Sequence, residues 1–178
     1  MAERGSQVDV EALKRFVRDI PDFPTPGILF RDITPLLADH EAFRQSVDAM
    51  AAPFRGVNEV VAIESRGFIL GAPVAYVLKA GLTPVRKIGR LPFTTLREEY
   101  ALEYGANAVE IHSDAIVPGE RVLIVDDLLA TGGTVRAAVN LVERLGATVA
   151  GISVLAELAD LGGRTRLAEY DVRSLIVY

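Results

Sequence analysis

The spacing of apolar residues changes several times along the chain, and each change predicts an element. Val10, Leu13, Phe16, Val17 and Ile20 recur at helical intervals, and Pro21 ends that pattern, so a helix is expected from about Val10 to Ile20. A loop rich in proline and glycine follows, "PDFPTPGILFRDITP". A second helix is expected from about Asp39 to Ala52, with Phe43, Val47, Met50 and Ala51 on one face. Then short, continuously apolar runs begin. "VVAI" at 60–63 predicts a buried strand, a helical stretch runs to about Ala80, and a further strand is expected over Thr83–Ile88. Residues 89–107 show no clear period. "AVEIH" at 108–112 alternates as a strand does, and "VLIV" at 122–125 is again continuously apolar. Val135, Ala138, Val139, Val142 and Leu145 mark one face of a helix capped by Gly146, and "VAGISVLAEL" and "SLIVY" supply the last strands.

Short apolar strands alternating with helices predict an α/β fold, a central and mostly parallel sheet flanked by helices. The length of 178 residues suits one domain, 1–178, without repeat or linker. In such sheets ligands bind beyond the carboxyl ends of the strands. The stretches to inspect are therefore 64–68, 87–90 and 126–134.

Composition narrows the choice of ligand. The formal net charge is -5, which argues against sequence-independent nucleic-acid binding. The absence of cysteine excludes disulfides, thiolate catalysis and Cys-ligated zinc. "MAERGSQVDVEALKRF" has no apolar signal core, and no uncharged apolar run is long enough to span a membrane, so a cytoplasmic protein without membrane partner is expected.

"VLIVDDLLATGGT", residues 122–134, carries the most chemistry. A strand runs into Asp126 and Asp127, and a small-residue turn enters a helix near Gly133. Backbone N–H groups and the helix dipole make such a turn an anion site. Glycines allow close approach to the backbone, and Thr131 and Thr134 add hydroxyls. Two carboxylates repel phosphate but accept hydrogen bonds from neutral hydroxyls. A vicinal diol beside a phosphate is a ribose 5-phosphate. The string lacks the Gly-Lys-Ser/Thr of a Walker A loop and the GxGxxG of a dinucleotide fold. A magnesium site on the two aspartates stays open, provided the strand has ended before them. An ordinary acidic turn before a capped helix is the bland alternative.

At these residues the chain resembles the type I phosphoribosyltransferases. "FPTPGILFRDITPLL" (23–37), "ESRGF" (64–68), "VRKIGRLP" (85–92) and "LEYG" (102–105) are similar, in order and spacing, to the adenine-specific branch of that family. The resemblance implies a small N-terminal base-binding hood over about 1–38 and a flexible lid loop over about 89–107. It implies transfer of phosphoribose from phosphoribosyl pyrophosphate to adenine, giving AMP and pyrophosphate in purine salvage. Mg2+ would be held mainly by the donor rather than directly by the protein, and a homodimer is implied.

Carried over residue by residue, Asp126 and Asp127 would hold the ribose hydroxyls, and Ala130, Thr131, Gly132, Gly133 and Thr134 the 5-phosphate. Ser65, Arg66, Lys87 and Arg90 would meet pyrophosphate, with a cis peptide implied at Ser65–Arg66. Arg86, Lys87 and Arg90 form a basic cluster, of which strand alternation lets about two face a ligand. In the lid, Glu103 would manage the proton lost from adenine, and with Arg66 it makes the catalytic pair; Tyr104 would pack over the ligand. Leu29 and Arg31 would read the base through backbone groups, with Phe30 stacked on it. His40 and His112 have no partner at metal-ligand spacing and read as structural. Glu157 follows a strand, where it could approach a nucleoside. A 6-oxopurine transferase, a non-catalytic sensor of the donor and a Mg2+ phosphatase are the competing readings.

Overall fold

A computed structural model of the chain describes residues 9–101 and 106–178. Two compact units divide it, residues 1–49 and 50–178. In order the elements are α1 (Val10–Lys14), β1 (Arg18–Pro21), β2 (Leu29–Asp32), α2 (Thr34–Ala38), α3 (His40–Ala51), β3 (Glu59–Ile63), α4 (Arg66–Leu78), β4 (Gly81–Lys87), β5 (Thr95–Ala101), β6 (Ala106–His112), β7 (Arg121–Leu129), α5 (Gly133–Arg144), β8 (Thr148–Glu157) and β9 (Val172–Val177). Among the described residues no helix is long and apolar enough to cross a membrane.

In the first unit the expected Val10–Ile20 helix is cut short. α1 stops at Lys14, and Arg18–Pro21 form β1, antiparallel to β2 with Arg18 opposite Asp32 and Pro21 opposite Leu29. Tertiary pairing overrides helical spacing here. Arg18 also bonds Asp32 through Nε at 3.1 Å, and Asp32 in turn accepts the Thr34 backbone N–H at 2.9 Å. That second bond fixes the start of α2, which periodicity did not reveal.

The second unit holds a seven-stranded sheet in the order β5-β6-β4-β3-β7-β8-β9. β4, β3, β7, β8 and β9 run parallel to their neighbours, while β6 is antiparallel to β4 and β5 to β6. The two helices cover opposite faces. Val61 and Ile63 of β3 join the apolar cluster that includes Val135, Ala138 and Val142 of α5. Ala62 between them points the other way, toward α4, where a Cβ on Gly71 would lie 2.5 Å from its own Cβ. Only glycine lets α4 approach so closely.

Two expectations change in this unit. Within 89–107, read as irregular, residues 95–101 form β5, paired along its length with β6. Its apolar alternation is broken because Glu98 shares the face of Leu96 and Tyr100; Glu98 accepts hydrogen bonds from Asn140 at 2.8 Å and Arg144 at 2.9 Å, both on α5. β7 runs through the aspartates to Leu129 rather than ending before them.

Candidate active site

At the carboxyl edge of β3, β4 and β7 lies a cavity of about 460 Å³. Its walls bring together Ser65, Arg66, Lys87, Arg90, Asp126, Asp127 and Thr134, all singled out in the sequence. Tyr100 and Asn107 of the β5–β6 hairpin, both within the 89–107 segment read as a lid, also line it, though the sequence assigned neither a role. A smaller adjoining cavity of about 70 Å³ is walled by Asp126 and the whole turn from Ala130 to Thr134. Glu103 and Tyr104 lie outside the described residues.

The turn is built for close approach. Gly132 caps α5 with φ +79°, a left-handed backbone that glycine adopts without strain. A Cβ there would lie 2.7 Å from the Gly163 carbonyl oxygen, and a Cβ on Gly163 would lie 2.3 Å from that of Ala130. The segment around Gly163 therefore braces the turn from behind. Arg164 holds that segment in place, with Nε 2.9 Å and Nη2 2.8 Å from the Glu157 carboxylate and Nη1 on the Val172 carbonyl. Glu157 is thus committed to Arg164 and Ser174 rather than directed at a nucleoside.

Asp126 and Asp127 are both buried, at 9% and 6% exposure. Asp126 Oδ1 accepts the backbone N–H of Asp127 at 2.8 Å, and Asp127 pairs with Arg66 Nη2 at 2.9 Å. Burial, reinforced by the Asp127 charge, pushes the Asp126 carboxyl well above the usual carboxylate range. Burial also raises Asp127, against the pull of the Arg66 guanidinium. Burial thus makes two negative charges here costly, with Arg66 offsetting the one on Asp127. Gly67, at the start of α4, leaves room for this arrangement, since a Cβ there would lie 2.8 Å from Asp126 Oδ1.

Strand alternation separates Arg86 from Lys87 on β4, and Arg90 follows the strand in a turn. Lys87 and Arg90 line the cavity, whereas Arg86 Nη2 pairs with Glu64 at 3.1 Å and its Nη1 donates to the Arg90 carbonyl at 2.9 Å. Hydrogen bonding from Arg86 holds the Glu64 carboxyl below its usual range despite burial. The cis peptide is Glu64–Ser65, one bond earlier than expected. His112 contacts the Pro92 carbonyl and the Phe93 ring, a structural position. Among the described residues no group of three or more His, Asp or Glu is arranged to hold a metal.

In the first unit, Leu29, Phe30 and Arg31 lie on β2. Leu29 and Arg31 are two residues apart, so their backbone groups face the same edge of the strand. The Phe30 ring packs edge-on against Phe23 at 5.1 Å, and Arg31 pairs with Asp19.

Chemically, the second unit presents an anion-binding turn, two hydroxyl acceptors and a cationic wall around one cavity. Comparison with known proteins gives the same assignment. Residues 37–176 match the phosphoribosyl transferase domain. The adenine phosphoribosyltransferase of Thermobifida fusca is 56% identical over 170 residues, covering 94% of this chain and 97% of that protein. The crystal structure of the Rhodothermus marinus adenine phosphoribosyltransferase superposes with a TM-score of 0.92 at 51% identity, over 95% of this chain and 98% of that one. The Saccharomyces cerevisiae enzyme, solved with adenine and an imino-altritol bisphosphate, gives a TM-score of 0.88 at 38% identity, over 93% and 97% of the two chains. With four-fifths of its length inside the matched domain and more than half its residues shared with such relatives, the chain belongs to the adenine phosphoribosyltransferases of the phosphoribosyltransferase family.

Proposed function

We propose that the protein transfers the 5-phosphoribosyl group of phosphoribosyl pyrophosphate to adenine, giving AMP and pyrophosphate in purine salvage. The observation that carries this reading is the pair of buried aspartates beside a glycine turn at a helix N-terminus, facing Arg66, Lys87 and Arg90 across one cavity. The turn Ala130–Thr134 binds the 5-phosphate through backbone N–H groups and threonine hydroxyls. Asp126 and Asp127 accept the ribose hydroxyls. Ser65, Arg66, Lys87 and Arg90 bind pyrophosphate.

In the reaction the C1–O bond to pyrophosphate breaks, a C1–N bond to adenine forms, and adenine loses a proton. Negative charge grows on the leaving pyrophosphate, where fixed cations stabilise it most effectively. Arg66 lies among them, already oriented by Asp127. Positive charge grows at the anomeric carbon, which water would capture, so exclusion of solvent by the 89–107 segment and Tyr104 favours transfer over hydrolysis. Glu103 takes the proton from the base. Leu29 and Arg31 select adenine through a backbone carbonyl and amide, with Phe30 against the purine ring.

The donor set suits a Mg2+ ion carried on the ligand's own oxygens. Such ions keep several waters and bind through one or two carboxylates plus substrate phosphates. Since β7 runs on through Asp126 and Asp127, the ion would be held by the donor's oxygens rather than by both carboxylates, and when bound it would neutralise charge on the pyrophosphate. A homodimer in the cytoplasm completes the proposal. Ile69, Tyr76 and Val77 form an exposed apolar stripe on α4, at 46%, 86% and 45% exposure, suited to a second copy.

The test is AMP synthesis by the wild-type protein and by Glu103→Gln with Mg2+ present. Wild type should form AMP and pyrophosphate in equal amounts and lose activity with chelator. Glu103→Gln should lower kcat about 100-fold, within the range of general acid–base contributions, with donor binding retained. Equal kcat in the two proteins would remove Glu103 from proton transfer, and no AMP from wild type would end the reading.

A further inference from the structure

We propose that Glu110 is a positioning residue for the donor site, aiming Arg90 at the pyrophosphate; this rests on the reading of the cavity given above. Glu110 lies on β6 between Val109 and Ile111, which face the apolar core. Its side chain therefore leaves the opposite face, yet it is only 1% exposed because the turn after β4 folds over it. Oε1 accepts the backbone N–H of Arg90 at 3.0 Å and of Leu91 at 3.1 Å, while Oε2 accepts the Thr95 hydroxyl at 3.1 Å and lies 3.5 Å from Arg97 Nε.

The other end of the same peptide is held as firmly. Arg86 donates to the Arg90 carbonyl at 2.9 Å and is itself fixed by Glu64, which also accepts the Lys87 N–H at 3.0 Å. Both backbone groups of Arg90 are thus bound by charged side chains. Gly89, with φ +79°, makes the turn immediately before it. A buried carboxylate is costly unless donors surround it. Burial does push Glu110 up, but the N–H of Leu91, the Thr95 hydroxyl and the N–H groups of Arg90 and Gly89 outweigh it and hold the group below its usual range. Of the residues in this turn, Arg90 is the one that lines the cavity. A charge buried beneath a surface turn is explained by the need to fix that one side chain.

The experiment measures KM for phosphoribosyl pyrophosphate, KM for adenine, kcat and Tm in Glu110→Leu, Glu110→Gln, Arg90→Ala and the double variant Glu110→Leu/Arg90→Ala. Glu110→Leu leaves the Arg90 and Leu91 N–H groups without their carboxylate acceptor and should raise donor KM about tenfold, with adenine KM and kcat within about twofold of wild type. Glu110→Gln keeps Oε1 for both N–H groups and can donate to the Thr95 oxygen, so it should restore donor KM. The double variant should be no worse than Arg90→Ala alone, because Glu110 acts through that residue. If Glu110→Leu does not fold, Glu110→Met, closer to the native side chain in length, takes its place in the same cycle. Multiplying effects in the double variant would overturn the proposal. So would a parallel rise in both KM values that tracks loss of Tm. An active wild type with such results removes only the positioning role, whereas an inactive wild type removes the reading beneath it.

Discussion

Gly132→Ala is expected to lower kcat/KM for phosphoribosyl pyrophosphate by about 100-fold, the scale on which small misplacements act. Two effects combine. The residue has φ +79°, where an L side chain costs about 1–2 kcal/mol. Its Cβ would also lie 2.7 Å from the Gly163 carbonyl oxygen, and that oxygen belongs to backbone braced in turn by Arg164 and Glu157. The clash is relieved only if the phosphate turn moves. Gly119→Ala separates the two effects. Gly119 has φ +89°, nothing within 4 Å of its Cβ position, and a place before β7, at the opposite end from the cavity. It should lose Tm comparably to the strain part of Gly132→Ala and keep kcat/KM. Steady-state kinetics and thermal melts on both variants decide the matter. Full activity in Gly132→Ala would mean that the turn does not bind the phosphate.

Asp126→Asn is expected to move stability and function in opposite directions. In the folded chain burial raises the Asp126 carboxyl well above its unfolded value. As pH rises, the unfolded chain therefore releases this proton first, and stability falls until the folded group has ionised too. The asparagine variant lacks that decline. Its Tm should match wild type near pH 4, about the unfolded pKa, and exceed it increasingly toward neutral pH. Each kcal/mol is worth about 2–4 °C in a chain of this size. The local geometry survives, because the asparagine oxygen still accepts the Asp127 N–H. Donor use should nevertheless fall about 10- to 100-fold, since a hydrogen bond to a charged acceptor is worth about 1.5–3 kcal/mol. Melting across pH with parallel kinetics tests both halves. A lower Tm at neutral pH would refute the electrostatic account, and unchanged donor kinetics would refute the hydroxyl-acceptor role.

Much of this site could be read from the chain because its chemistry is written in contiguous strings. "VLIVDDLLATGGT" encodes strand, acids, turn and helix in order, and the structure gathers those residues with Arg66, Lys87 and Arg90 at one sheet edge. The parallel core was legible for a related reason: strands buried on both faces are continuously apolar. Partners distant in sequence were not legible. Val10–Ile20 carries helical spacing, and only β2 turns its last part into a strand. β5 was hidden because Glu98 faces inward to meet Asn140 and Arg144. Glu110 looked like the polar position of an alternating strand, and nothing local showed that a turn twenty residues earlier covers it. Gly163 gave no sign of bracing a loop thirty residues away. The cis bond lies one position before the expected one.

The donor site is expected to serve adenine. The most direct test is pyrophosphate release from phosphoribosyl pyrophosphate and Mg2+, with adenine, hypoxanthine, guanine and xanthine in separate reactions. Adenine presents an amine donor beside a ring acceptor, and the 6-oxopurines reverse that polarity, which would leave buried backbone groups unpaired. Release with adenine alone is the predicted result. Release with any oxopurine at a comparable rate would contradict the assignment of base selection to residues 29–31, and silence with all four while the donor still binds would make the protein a sensor rather than an enzyme.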